Sequence, residues 1–108
     1  MFLTSGLWSK GCIKEARKFI KPENVIEVTN LDSVDRSCIT DPKTWKIDAD
    51  ASFLHICTNE TVDGLELTDK NFPWHLFPKE VPVVADMSSH IGTFPIDWER
   101  FSVVYAGA

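Results

Sequence analysis

The sequence predicts an α/β fold with a mainly parallel sheet and flanking helices. Three short, continuous apolar runs predict strands buried on both faces, over residues 53–57, 83–85 and 103–106. The first two are followed by clusters of polar residues, and ligands of parallel sheets bind beyond the carboxyl ends of the strands. An amphipathic helix near the amino terminus completes the α/β pattern.

The amino-terminal part predicts a strand, a helix and a second strand. Residues 2–4 and 25–28 are short apolar runs that predict the two strands. Between them, Gly6 and Ser9 open a helix that Pro22 ends. Apolar residues recur on one face of this helix at the 3.6-residue spacing; they are Cys12, Ile13, Ala16, Phe19 and Ile20.

The middle of the chain predicts turns and a packed loop. Residues 30–35 are rich in turn formers, and Asp41 followed by Pro42 predicts a single helical turn capped by the aspartate. Residues 69–78 carry three aromatic residues and two prolines, which indicates a packed irregular connection. The helices are too few to cover both faces of the sheet, so we expect further sequence to complete the domain.

Composition excludes several classes of function. The formal net charge of -5 argues against nucleic-acid binding, which needs a basic surface. No apolar run reaches the length of a membrane helix, and the first residues lack the basic region of a secretory signal. Three widely spaced cysteines without a C-x-x-C pair predict reduced cytoplasmic thiols and no zinc site; they are Cys12, Cys38 and Cys57.

Two features lie at the predicted junction between the first strand and the helix. Gly6 and Gly11 have the spacing of a phosphate loop, but Cys12 and Ile13 stand where Lys and Ser or Thr are required. A nucleoside triphosphate site is therefore not expected. Trp8 lies where ligands of α/β sheets bind, and it is either a core aromatic residue or a stacking platform for a ligand.

The polar clusters after the strands give further candidates. Residues 59–64 form either a hydrogen-bonded turn or part of a site. Asp86 directly follows an apolar strand, so its carboxylate either caps the local structure or faces a cationic group of a ligand. His55 alternates with apolar residues and is interpreted as a core histidine. His90 follows two serines, but the nucleophile motif G-x-S-x-G of a hydrolase is absent.

Taken together, these pieces resemble the phosphoserine aminotransferase family. The family comprises pyridoxal-phosphate enzymes of fold-type I, with an aspartate aminotransferase-like fold. The resemblance covers essentially the whole chain, and it implies that residues 1–108 are part of a pyridoxal-phosphate-binding large domain, incomplete at both ends. The segments that carry it, in chain order, are 7–9 with 13–18, 41–45 with 50–52, 59–64, 85–89 and 104–108.

The resemblance also implies a cofactor site and a reaction. Asp86 corresponds to the acidic partner of the pyridine nitrogen, Trp8 to the aromatic residue stacked on the ring, and Thr61 to a hydroxyl that contacts the cofactor. The implied reaction transfers the amino group of glutamate to 3-phosphohydroxypyruvate and gives O-phosphoserine and 2-oxoglutarate. It belongs to serine biosynthesis and is carried out by a cytoplasmic homodimer.

The family's cofactor lysine has no counterpart in the sequence. In the family, a Gln-Lys pair follows the Ala-Gly-Ala turn, so the Schiff-base lysine is expected just beyond Ala108. Lysines elsewhere in the sequence do not stand at a matching position; among them are Lys10, Lys46, Lys70 and Lys79. We therefore expect no catalytic residue within the 108 residues and no activity of this chain alone.

Two other hypotheses stay open. The chain is alternatively a truncated paralogue without catalytic function, retained as a binding or dimerisation module. A nucleotide-binding α/β domain is a remaining possibility, although the glycine fingerprint of such domains is absent.

Overall fold

The computed structural model describes residues 1–29 and 38–107. A three-stranded parallel sheet has the order β1-β4-β5, and a small antiparallel hairpin consists of β2 and β3. The predicted parallel α/β architecture is therefore confirmed. The regular elements are α1 (Leu7–Phe19), β1 (Leu54–Cys57), β2 (Asn59–Glu60), β3 (Leu65–Glu66), β4 (Val83–Asp86) and β5 (Val103–Tyr105), with 3-10 helices at Pro22–Asn24, Pro42–Thr44, Trp74–Leu76 and Trp98–Arg100.

The register of the sheet aligns the carboxyl ends of its strands. In β1, Cys57 pairs with Asp86 of β4, and Asp86 in turn pairs with Tyr105 of β5. Asp86 is thus the last residue of the central strand. Side chains that follow these strands are brought to one edge of the sheet, as expected for a parallel arrangement.

The two predicted amino-terminal strands are reduced to single bridges. Phe2 forms parallel bridges to Glu27 on one side and to His55 of β1 on the other. The pairing stops at Thr4, because its backbone N–H donates to the side-chain oxygen of Thr29 (3.0 Å), whose hydroxyl donates back to the Thr4 carbonyl. Side-chain hydrogen bonds thus replace the ladder that a longer strand would form.

Apolar residues pack on both faces of the sheet. On one face, Leu54 and Ile56 of β1 are completely buried in the larger cluster, together with Ala85 of β4. On the other face, Ile13 of α1 packs against a smaller cluster that includes Phe2. Burial of this apolar area is the main stabilising contribution to the fold.

Burial on both faces holds for β1 alone. All four residues of β1 are buried, β4 is partly buried, and β5 is largely exposed. Val103 is 52% exposed and Tyr105 is 41% exposed. The prediction of a doubly buried third strand was wrong for β5, because within the described residues it is the edge strand of the sheet and, of the three strands, α1 packs mainly on β1.

Helix α1 covers the sheet through a narrower stripe than predicted. Ser9 and Ile13 are buried, and the helix ends before Pro22 as expected. Phe19, which was assigned to the apolar face, is 87% exposed. Phe19 follows Cys12 by seven residues, which is close to two helical turns, so the two residues lie on the same side of the helix. This side is at the flank of the buried surface that contains Ile13.

Two predictions for the middle of the chain fall on described residues, the turn capped by Asp41 and the packed connection over residues 69–78. Both are confirmed. The side chain of Asp41 accepts a hydrogen bond from the Lys43 amide (3.0 Å) and caps a 3-10 turn. In the packed loop over residues 69–78, the rings of Phe72 and Phe77 stack with centroids 5.6 Å apart and contact Trp45. The predicted turns over 30–35 lie outside the described residues.

Candidate functional site

A buried carboxylate joins the β2–β3 hairpin to the first turn of α1. Glu60 is 0% exposed, and its two oxygens accept hydrogen bonds from the backbone amides of Ser9 (2.9 Å) and Trp8 (2.8 Å). The Ser5 hydroxyl donates a third bond at 3.3 Å. These amides are among the donors that a helix leaves without a partner at its amino terminus, so Glu60 satisfies them from a different element.

A second carboxylate of the hairpin completes this cap. Asp63 accepts a hydrogen bond from the amide of Leu7 at 2.7 Å. The first turn of α1 contains no acidic residue of its own. Glu60 and Asp63 therefore supply the negative charge that the positive end of the helix dipole favours.

Gly6 is required by the closeness of these two carboxylates. A Cβ atom at this position would lie 2.6 Å from Asp63 Oδ2 and 2.7 Å from two carbons of the Glu60 side chain. Its φ of -174° is ordinary extended backbone, so packing rather than backbone conformation selects glycine here. The amides that a phosphate loop would offer are occupied by carboxylates, which agrees with the rejection of a nucleoside triphosphate site.

Trp8 and Thr61 are brought together by this contact. The indole Nε1–H of Trp8 donates to Thr61 Oγ1 at 3.0 Å. Trp8 is 53% exposed, so it is not a core residue, and a ring face is accessible to a planar ligand. Because Thr61 directly follows Glu60 in sequence, the same hairpin fixes both the helix end and the hydroxyl that orients the indole.

Asp86 is oriented by the turn that follows β4. One of its carboxylate oxygens accepts two hydrogen bonds from Ser88, from the backbone amide (2.9 Å) and from the hydroxyl (2.6 Å). The Ser88 oxygen also accepts a bond from the amide of Gly107 at 2.9 Å, which ties the end of β5 to the same turn. Strand β4, the turn that follows it and the residues after β5 therefore hold the carboxylate at the end of the central strand.

A neutral hydrogen-bonded pair lies next to Asp86 in the sheet. The Tyr105 hydroxyl is 2.8 Å from His55 Nε2. Burial, and then the charge of Asp86, raise the pKa of Tyr105, while burial lowers the pKa of His55. Both side chains are consequently uncharged near neutral pH, which leaves the negative charge of Asp86 without a cationic partner in this pair.

Cys12 of α1 lies beside this pair and on the same side of the helix as Trp8. Cys12 Sγ lies 3.5 Å from His55 Nε2, and Cys12 is one helical turn after Trp8 on the same side of α1. Burial and the nearby charge of Asp86 raise the pKa of Cys12. Burial also raises the pKa of Cys57 to about 12, so both thiols stay protonated and neither is activated as a nucleophile.

Two other features are absent from the described part of the chain. Its residues bring together no trio of His, Cys, Asp or Glu side chains suited to a metal ion. Among residues 1–29 and 38–107, no helix combines the length and the hydropathy that a membrane span needs.

Curated relatives match the chain over its full extent. A phosphoserine aminotransferase from Idiomarina loihiensis is 40% identical over 108 residues, which cover 99% of this chain. One from Pseudoalteromonas translucida is 42% identical over 100% of this chain. The chain is thus similar over essentially its whole length to part of phosphoserine aminotransferases. It spans 28% of the length of each of these two relatives, and no protein-family model matches it.

Solved structures of the family share the fold. A PLP-bound phosphoserine aminotransferase from Trichomonas vaginalis superposes with a TM-score of 0.82 at 30% identity and covers 99% of this chain and 30% of that chain. The enzyme from Bacillus circulans subsp. alkalophilus gives a TM-score of 0.79 at 27% identity, over 99% of this chain and 27% of that one. The predicted aspartate aminotransferase-like fold is thus confirmed.

The candidate residues therefore fall into two groups at one end of the sheet. Trp8 and Thr61 contact each other, whereas the carboxylate of Asp86 accepts hydrogen bonds from Ser88. Sequence reasoning missed Glu60 as the residue that organises the first group. The signal was present, because a helix without acidic residues in its first turn needs a carboxylate from elsewhere.

We predict that Glu60→Gln destabilises the protein and loosens the first turn of α1. An amide keeps one acceptor oxygen, but it places an NH₂ group against a backbone N–H that then has no partner. The expected loss in the free energy of unfolding is about 1–3 kcal/mol. Urea denaturation measures this loss, and hydrogen exchange of the Trp8 and Ser9 amides should be faster than in the wild type.

The matched control is Glu66→Gln in the same hairpin. Glu66 is exposed, and its substitution should change the free energy of unfolding by less than about 0.5 kcal/mol. Equal stability of the two variants would contradict the capping role of Glu60.

We predict that stability decreases as the pH falls from about 7.5 to about 5.5, partly because of His55. Burial holds the pKa of folded His55 below its value of 6.5 in the unfolded chain. Below pH 6.5 the unfolded state therefore binds more protons than the folded state, so acid favours unfolding. His90 acts in the same direction, because burial lowers its pKa as well.

Denaturation midpoints measured across this pH range test the contribution of His55. His55→Gln should give a shallower dependence of the unfolding free energy on pH, whereas the exposed His75→Gln should keep the wild-type slope. An unchanged slope in His55→Gln, or an NMR titration of His55 with a pKa above 6.5, would refute the assignment.

Proposed function

We propose that this chain is the cofactor-binding part of a pyridoxal-phosphate-dependent aminotransferase. The proposed reaction transfers the amino group of glutamate to 3-phosphohydroxypyruvate and yields O-phosphoserine and 2-oxoglutarate. The names of the relatives and the PLP-bound neighbour from Trichomonas vaginalis support it. The proposal concerns the whole protein. This chain spans 28% of the length of the relatives that it matches.

The observation that carries the proposal is the carboxylate of Asp86 at the end of the central strand. It is half-buried and held by two donors from Ser88, and its neighbours His55 and Tyr105 are neutral. Such a carboxylate has an unneutralised charge and a fixed direction. These properties suit a partner for the protonated pyridine nitrogen of pyridoxal phosphate, since an opposite charge nearby favours the protonated ring.

Trp8 and Thr61 fit the remaining contacts of the ring. The exposed indole offers a flat face for stacking, and its Nε1–H bond to Thr61 fixes the plane of that face. Because the Thr61 oxygen accepts this bond, its own O–H remains a donor for an oxygen atom of the cofactor. When bound, the cofactor would supply an electron sink for the reaction, and the negative charge of the Asp86 carboxylate would keep the proton on its pyridine nitrogen.

We also propose that the 108 residues alone do not catalyse transamination. No lysine of the sequence stands at the position that the family resemblance gives to the cofactor lysine. Residues 1–108 are in this proposal a part of the large domain. The full-length protein is expected to act in the cytoplasm as a homodimer, without nucleic-acid or membrane partners.

A second candidate function is that of a non-catalytic binding or dimerisation module. The exposed strand β5 favours it, because Val103 and Tyr105 lie on a strand that pairs with β4 alone within the described residues. Open strand edges pair readily with other chains. The two experiments below distinguish this candidate from the aminotransferase.

We predict that Asp86→Asn reduces the aminotransferase activity of the full-length protein about 100-fold or more, because the neutral amide does not hold the pyridine nitrogen protonated. The assay measures 2-oxoglutarate formed from glutamate and 3-phosphohydroxypyruvate. Asp50→Asn, at the opposite end of the sheet, is the control and should keep wild-type activity. Wild-type activity of Asp86→Asn would exclude the assigned role, and an inactive wild type would favour the non-catalytic candidate.

We predict that the 108-residue chain mixed with pyridoxal phosphate and borohydride gives no stoichiometric adduct at a single lysine. Surface lysines should react weakly and at several positions. Peptide mass spectrometry after reduction measures both the extent and the position of labelling. Full labelling of one lysine would show that the chain carries its own cofactor lysine and would overturn this part of the proposal.

A further inference from the structure

A small cavity lies next to the turn that follows β4. Its volume is about 50 Å³, and its polar lining includes Thr58, Trp74, His90 and Arg100. A water molecule takes up about 30 Å³ in the liquid, so the cavity has room for one or two. It is separate from the surface formed by Trp8 and Thr61, which do not line it.

Three nitrogen atoms of the lining residues are buried and have no hydrogen-bond partner among the described residues. They are His90 Nε2, Trp74 Nε1 and Arg100 Nε. His90 is 5% exposed, so solvent at the surface does not reach its ring. A buried polar group without a partner destabilises a folded protein, and native proteins rarely leave three around one cavity.

The hydrogen bonds of Thr58 decide which role the His90 nitrogen plays. The Thr58 hydroxyl donates to the carbonyl of Asp86 at 2.9 Å, so its hydrogen is already used. Its oxygen lies 3.4 Å from His90 Nδ1 and can only accept, which places the proton of the neutral imidazole on Nδ1. His90 Nε2 is therefore an acceptor, whereas Trp74 Nε1 and Arg100 Nε are donors.

The charges around the cavity favour a neutral ligand. The guanidinium of Arg100 is 3.5 Å from Asp69 and 3.4 Å from Asp97, and it lies 4.7 Å from the centre of the Trp74 ring. Two carboxylates thus offset its charge. An anion would find little net attraction here, and it would also face the lone pair of His90 Nε2.

We infer that this cavity binds an ordered water molecule that links His90, Trp74 and Arg100. Water accepts two hydrogen bonds and donates two, which matches two N–H donors and one imidazole acceptor. One water molecule can therefore satisfy all three nitrogens, and the remaining hydrogen can reach a second water or an oxygen of the lining.

The water would form the outer end of a hydrogen-bonded chain that reaches Asp86. It donates to His90, His90 donates to Thr58, and Thr58 donates to the Asp86 carbonyl. Such a chain fixes the backbone from which the Asp86 side chain projects. This inference rests on the cavity alone and holds whether or not the protein is an aminotransferase.

A crystal structure of the protein that resolves ordered solvent tests the inference directly, with a second crystal soaked in bromide. The expected result is a density peak within hydrogen-bond distance of His90 Nε2, Trp74 Nε1 and Arg100 Nε that gives no anomalous signal from bromide. A bromide signal at this position would overturn the inference in favour of an anion site. A cavity without density, or direct bonds among the three side chains, would also overturn it.

The same water is detectable in solution by NMR. The indole N–H of Trp74 should show a cross-relaxation peak to water with the sign of a long-lived contact, whereas the exposed indole of Trp98 should show rapid exchange with bulk water. Trp74→Phe identifies the signal. In His90→Leu, which removes the acceptor, the peak should weaken, while His75→Leu should leave it unchanged. Equal peaks in His90→Leu and wild type would contradict the bridging geometry.

Discussion

The contact between the Glu60 carboxylate and the first turn of α1 is the constraint on which the rest of the site depends. A completely buried carboxylate costs several kcal/mol unless it is well satisfied, and here three donors satisfy it, two of them helix amides. These bonds hold the β2–β3 hairpin against the first turn of the helix. It also excludes any side chain at residue 6, where Gly6 lies against the carboxylates.

Two further features follow from this constraint. The helix presents Trp8 at the edge of the hairpin, where Thr61 binds the indole nitrogen, and it places Cys12 beside the His55–Tyr105 pair. The parallel register independently brings Asp86 to the same end of the sheet. A ring-binding surface thus arises from two mechanisms, helix capping on one side and strand alignment on the other.

Much of the fold and part of the site could be predicted from the sequence. Continuous apolar runs identify β1 and β4, because the strands inside a parallel sheet are mostly apolar. The identity of Asp86 as a strand-end carboxylate follows from the same runs. Burial of β5 was mispredicted, since an apolar sequence does not state which strands the helix packs on. The exposure of Phe19 was missed because the periodicity does not define the width of the buried stripe.

The order of α1, β1, β4 and β5, the positions of the polar clusters and the family resemblance could all be predicted from the sequence, whereas the β2–β3 hairpin was not predicted. What each polar residue does depends on its partners in the folded chain. Glu60 and Thr61 are neighbours in sequence, yet one is completely buried as a helix cap and the other binds an exposed indole. The reason is physical: local sequence sets backbone preferences, whereas burial and hydrogen-bond partners come from segments more than fifty residues apart.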